Sequence, residues 1–215
     1  MRWVCTTGLV AVVGTVLVAA DEKTFTFAKA DLGKVAVGWK ADQTGTGEGS
    51  VWKVVEDKTA PSKSGFALTQ MAGSPSAVFN LCVAEGTSFK DVEVSVAFKA
   101  NAGKKDQGGG VVWRYQDANN YYIARMNPLE DNFRVYKVVG GKRSAEFQNA
   151  EVKLPAGEWH TLKAKMVGDH IECFLDKKYL DVKDDTFTKA GKAGLWTKAD
   201  AQTSFDNFTM KNLGK

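Results

Sequence analysis

Period-two alternation constrains this chain more than any other feature. In Asp91 to Lys99 (DVEVSVAFK), Val92, Val94, Val96 and Phe98 alternate with Asp91, Glu93, Ser95, Ala97 and Lys99. That spacing belongs to a strand with one face buried and the other wet. The pattern recurs at residues 51–55, 65–70, 111–115, 121–126, 133–139, 159–166, 170–175, 193–197 and 205–211, with Gly, Asn and Asp turns between them. No amphipathic helix separates these runs, and no internal repeat suggests a propeller or solenoid. Short strands in succession predict an all-β fold, a two-sheet antiparallel jelly-roll sandwich.

A chain of 215 residues can bury one good core of this kind, so residues 21–215 are read as a single domain. Residues 1–20 (MRWVCTTGLVAVVGTVLVAA) read as a signal peptide: one Arg, an apolar stretch from Leu9 to Val18, and small residues before Asp21. The apolar stretch is shorter than the roughly 20 residues that span a bilayer, so no stable membrane insertion is expected. The expected location is outside the cytoplasm, periplasmic or extracellular. Net charge is only +4 on 29 basic and 25 acidic residues, interspersed without a Lys/Arg run, which argues against nucleic acid as a partner.

Cys5 falls in the signal segment. Cys82 and Cys173 each sit in an apolar, strand-like run, where they either bridge in an oxidising compartment or pack as small hydrophobes. Cys82 and Cys173, with His160 and His170, lack the close Cys-x-x-Cys and His-x3–5-His spacing of a structural zinc site, which is disfavoured.

The stretch GGGVVWRYQDANNYYIARMNPLEDN, residues 108–132, carries arginines and tyrosines where an ordinary wet face would carry Lys, Glu, Ser or Thr. If Tyr115 and Asn120 close a hairpin, Trp113 faces Tyr122 and Arg114 faces Tyr121. Val111, Trp113, Tyr122, Ala124 and Met126 then form the core face, and Arg114, Tyr121, Ile123 and Arg125 share the other. The next strand extends this outer face with Arg134 and Tyr136. The glycines at 108–110 read either as a flexible loop or as backbone left bare for close approach, the loop being the simpler reading. Trp196 and Lys198 alternate onto one face near the C-terminus; Trp196 either caps a groove there or packs in the core beside Leu195.

Three segments carry a family resemblance: GEWHTLKAKMVGDHIECFLD, AGLWTKADAQTSFDNF and GGGVVWRYQDANNYYIARMN. They resemble concanavalin A-like (laminin G-like) sandwiches, and more narrowly a secreted bacterial subset of the 3-keto-disaccharide hydrolase domain family. The resemblance implies a concave sheet whose exposed face binds a saccharide, an acidic one among the candidates. Arg114, Tyr121, Arg125, Arg134, Tyr136, Trp196 and Lys198 would line it, and Asn127, Glu130 and Asn132 would rim it. It also implies Asp206 as a candidate ligand for a structural calcium; no cofactor is otherwise required. Where the family typically reads Gly-Tyr-Glu-Val-Gln-Ile, this chain places Tyr122 at the glutamate, which leaves Glu130 as the candidate catalytic carboxylate. Carbohydrate-binding module, glycosidic hydrolase or lyase, and adhesion domain without a small ligand remain open, because sandwiches of this kind host all three.

Overall fold

The computed structural model describes residues 22–214, so the expected signal segment lies outside the described residues. In chain order the strands begin with β1 (Glu22–Phe25), β2 (Trp39–Thr44), β3 (Trp52–Glu56), β4 (Phe66–Gln70), β5 (Phe79–Ala84), β6 (Val92–Ala102), β7 (Gly109–Asp117) and β8 (Asn120–Asn127). They continue with β9 (Asn132–Val139), β10 (Lys142–Arg143), β11 (Gln148–Glu151), β12 (Trp159–Val167), β13 (His170–Leu175), β14 (Lys178–Lys183), β15 (Lys192–Lys198) and β16 (Gln202–Asn212). Among the described residues the helical content is one 3₁₀ turn, Lys29–Asp31, and no helix is long and apolar enough to cross a membrane.

The strands form two antiparallel sheets. The back sheet runs β14, β13, β12, β6, β16, β4, β3, with β1 on β16; the front sheet runs β10, β9, β8, β7, β15, β5, β2, with β11 on β9. Alternation decides what meets between them. From the back sheet, Val92, Val94, Val96 and Phe98 turn inward; from the front sheet, Val111, Trp113, Tyr122, Ala124 and Met126 do. Trp113 and Tyr122, directly paired, stack with ring centroids 5.6 Å apart. Each such side chain withdrawn from water contributes about 1.5–3 kcal/mol, the main force holding the sheets together. Cys82 and Cys173 enter this core from opposite sheets as free thiols, and burial raises the pKa of both.

The glycine run is not a loop. Gly109 and Gly110 belong to β7, and a Cβ on Gly110 would stand 1.8 Å from the Ala124 carbonyl oxygen. The bare backbone is what lets β8 lie this close.

Candidate functional site

The front sheet keeps the expected pairing only as far as Trp113 opposite Tyr122; the next pair is Asp117 opposite Asn120. Three residues of β7 thus stand against one of β8, a bulge, and Arg114 within it takes φ 45°. The bulge corrects the expectation for Arg114. Instead of facing Tyr121, it turns to the end of the sandwich, where Nε donates to Lys90 O (2.8 Å), Nη1 to Phe187 O (2.7 Å) and Nη2 to Gly168 O (2.7 Å). Asp91 Oδ1 completes the set at 3.4 Å. Only 1% exposed, Arg114 ties three connections together and offers nothing to a ligand.

Tyr121 and Trp196 also depart from expectation, because the front sheet closes over itself. Strands β5, β15 and β7 separate β2 from β8, so a flat sheet would hold the two about 19 Å apart at ~4.8 Å per strand. Instead the Tyr121 hydroxyl lies 2.6 Å from Thr44 Oγ1, which donates to Ala118 O, and the Tyr115 hydroxyl donates to Asp42 Oδ2 at 2.6 Å. The sheet curls away from its partner until edge strand β2 meets the β7–β8 turn. Inside the curl, Leu81, Val112, Tyr121, Ile123, Val138 and Trp196 pack as a second, smaller core. Tyr121 is 0% exposed and Trp196 1%, so neither presents a ring for a sugar to stack on.

The other expected residues converge at one corner of this face, where Arg125 (2% exposed), Asn127, Asn132 and Tyr136 are buried, against the expectation that they line a groove, and Glu130 and Arg134 reach the surface. Arg125 reaches Asn132 Oδ1 through Nη1, and through Nη2 donates to Glu130 Oε2 (2.9 Å) and the Tyr136 hydroxyl (3.4 Å). Arg134 pairs opposite Arg125 across β8 and β9, so both guanidinium groups share the face. Its Nε donates to Asn149 Oδ1 at 2.9 Å, and its Nη1 lies 3.3 Å from the Tyr136 hydroxyl and 3.8 Å from Glu130 Oε2. Asn132 Nδ2 adds a bond to Glu130 Oε2 at 3.1 Å. Tyr136 is buried under the Arg143 guanidinium, 4.5 Å from its ring centroid. Nearby, Lys198 Nζ stands 3.3 Å from Asp106 Oδ2, and Asn127, itself buried, donates to Asp106 Oδ1 at 3.2 Å.

The charges settle accordingly. Partial burial pushes the Glu130 carboxyl upward, but the Arg125 charge and the bonds from Asn132 and Arg125 outweigh it and hold the pKa below the usual carboxylate range. Glu130 is therefore an ionised anchor at neutral pH and cannot serve as a general acid there. Burial raises Asp106 against the pull of Lys198 and Arg125. What the corner presents at the surface is the Arg134 guanidinium, a planar donor, beside the Glu130 carboxylate, which the buried Arg125 and Asn132 hold from below, a pair suited to hydroxyls and carboxylates.

Asp106, Asn149 and Arg143 were not foreseen, since nothing in their spacing joins them to the arginine strands. His160 and His170 lie on the back sheet against Asp176 and Asp181, away from this corner. Asp206 is buried on β16; its Oδ2 accepts the Ser62 N–H at 2.8 Å and its Oδ1 has no partner among the described residues. No group of three or more His, Cys, Asp or Glu side chains able to hold a metal occurs among those residues. One carboxylate supplies at most two of the six to eight oxygens calcium takes.

Two curved antiparallel sheets with this strand order define a concanavalin A-like jelly-roll sandwich. The chain belongs to the 3-keto-alpha-glucoside-1,2-lyase-like domain family, whose model matches residues 28–211. No curated protein matches it. It is similar in structure to the carbohydrate binding module CBM66 from Bacillus subtilis, with 20% identity and a TM-score of 0.65 over 81% of this chain and 96% of that one. A galectin-like-fold protein from Bacillus subtilis follows, with 11% identity and a TM-score of 0.58 over 88% and 98%. A putative glycosyl hydrolase from Parabacteroides distasonis gives 15% and 0.51 over 82% and 89%. At these identities the likeness establishes the fold.

Proposed function

We propose that this chain is a secreted saccharide-binding domain that holds its sugar at the open corner of the concave front sheet. The observation that carries this reading is the Arg125–Glu130–Asn132–Arg134 network, in which Glu130 (side chain 41% exposed) and Arg134 (26%) stand at the surface on a rigid, buried base. A rigid base matters because donors held in place lose little freedom when a sugar arrives. Arg125, Arg134 and Lys198 exceed Glu130 and Asp106 in charge, and Arg143 lies beside them, a balance that favours an acidic sugar. The likeness to a carbohydrate binding module supports the class of ligand, and the signal-like N-terminus supports export.

A glycan array probed with residues 21–215 tests the proposal. Arg134→Ala should weaken the best hit by about 10-fold to 150-fold, the loss of a charge-assisted hydrogen bond worth about 1.5–3 kcal/mol. No hit, or affinity unchanged in that variant, would overturn it. The family match favours a second reading, cleavage of a 3-keto-disaccharide. A keto group at C3 acidifies the C2 proton, whose loss expels the glycosidic oxygen from C1, and Glu130 is the carboxylate placed to take that proton. Turnover by the wild type that disappears in Glu130→Gln would select it; neither binding nor turnover would leave an adhesion or structural domain.

A further inference from the structure

The outer face of the back sheet, on the far side of the sandwich from the arginine corner, carries a groove of about 530 Å³. Ser95, Ala97, Thr161 and Thr209 floor it, and Trp159 and Pro61 form walls. Register explains the depression. Thr161 pairs with Ala97 and Ala97 with Asp206, so short side chains cross β12 and β6 beside a row that holds Trp159 and Lys99. On β16 the pairing slips between Asp206 and Thr209, and Asn207 sits in the slip at φ 48°. A bulge re-aims a side chain: Phe208 keeps its place in the core while Asn207 lines the groove.

The wall is held from three sides. Asp57 pairs with Lys99, Trp159 Nε1 donates to Thr59 Oγ1 at 2.9 Å, and the Ser62 N–H donates to Asp206 Oδ2 at 2.8 Å. The Lys99 ammonium lies 5.0 Å from the Trp159 ring centroid, which fixes the indole further. Inside the groove, by contrast, the Ser95, Thr161 and Asn207 side chains make no hydrogen bond to any described residue. The one basic residue lining it, His160, stands 3.3 Å from Asp176, and of the lysines beside it Lys99 is neutralised by Asp57 and Lys163 lies 3.4 Å from Glu93.

We propose that this groove is a second saccharide site, which takes one neutral hexopyranose unit with its apolar face on Trp159 and its hydroxyls on Thr161, Ser95 and Asn207. A purely apolar ligand would strip water from those three groups without replacing it, and an anion would find no free cation. An aromatic wall with unpartnered hydroxyl and amide groups opposite is what a sugar ring, apolar on its faces and polar at its rim, complements. The site lies on the opposite sheet from the arginine corner and does not depend on it. With both occupied, one domain grips a polysaccharide at two points or joins two chains.

The test is a ¹H–¹⁵N NMR titration of the mature chain with maltose, cellobiose and sucrose in turn. At least one should give saturable shifts of the Trp159 indole and the amides of Ser95 and Thr161, leaving those of Arg125 and Arg134 in place. Thr161→Val should weaken that binding about 2-fold to 10-fold by loss of one hydrogen bond, and Arg134→Ala should leave it unchanged. Trp159→Ala should abolish it; should that variant fail to fold, Thr161→Val decides alone. Absence of saturable shifts with all three sugars, or shifts indifferent to Thr161→Val, would overturn the proposal. A silent arginine corner beside a responsive groove is the expected pattern with these neutral sugars; shifts at Arg125 and Arg134 without any at Trp159 would overturn the groove and not the corner.

Discussion

Replacing Arg114 with Met separates the architecture seen here from the one that simple alternation predicts. Met roughly fills the space, so the cost comes from the partners left behind: the carbonyls of Lys90, Phe187 and Gly168 each lose a charged donor at 2.7–2.8 Å. At about 1.5–3 kcal/mol for each hydrogen bond to a charged group, three would sum to roughly 4.5–9 kcal/mol. Connections at the end of a sandwich can open to water, which gives the three carbonyls new donors and recovers part of that loss. The expected destabilisation is about 3–5 kcal/mol, the range for removing one partner of a buried charge network. With a urea slope of about 2 kcal/mol/M, the midpoint should fall by about 1.5–2.5 M. Saccharide affinity, measured in the cold where the variant stays folded, should not change. A loss below about 1 kcal/mol together with lost binding would place Arg114 on the concave face, and the bulge argument would fail.

Tyr122→Ala removes the ring stacked on Trp113 and should cost about 3–5 kcal/mol by chemical denaturation; Tyr122→Phe, losing the 2.6 Å bond to Asp184 Oδ1 and the 3.2 Å bond accepted from the Phe187 N–H, should cost about 1.5–3 kcal/mol. Burial pushes Asp184 up, but hydrogen bonds from Lys137, Tyr122 and Thr186 outweigh it and hold its pKa at about 2. A depressed carboxylate stabilises the fold above its unfolded pKa of about 3.9 and loses that contribution as pH falls toward the folded value. Lys137→Met should therefore move acid unfolding, followed by circular dichroism, to higher pH. Cys82 and Cys173 should resist a thiol reagent at mildly alkaline pH in the native protein and both react once it is unfolded; one fast-reacting native thiol would contradict their burial.

Strands with one wet face were legible because alternation records burial directly: Val92 to Phe98 on β6 needed no other information. The Trp113–Tyr122 register was legible too, since any slip would have exposed the core set. Edge strands β2 and β14 were harder, because polar and half-exposed positions on both faces leave little alternation to read. Arg114 defeated the pattern for a different reason. Its direction is decided by carbonyls at positions 90, 168 and 187, which no local spacing can bring to it. Tyr121 was read as facing outward from its strand, correctly, and Trp196 as either capping a groove or packing in the core, but facing outward means exposure only if the sheet is open. The curl that buries them is a property of the whole sheet.

The clasp between Thr44 and the β7–β8 turn also dictates an order of assembly. It joins residues 74 and 77 positions apart in the chain, and it cannot exist until β15, which begins at Lys192, has been laid between β7 and β5. The β7–β8 hairpin, with its local contacts, is free to form early, whereas the small core inside the curl must wait for nearly the whole chain to emerge. A nascent chain therefore carries Tyr121 and Ile123 uncovered until β15 brings Trp196 to them, the interval in which a chaperone would find it. The expectation that follows is that Thr44→Val speeds unfolding in stopped-flow experiments and leaves the folding rate alone. Slower folding in that variant would put the clasp at the start of the process instead.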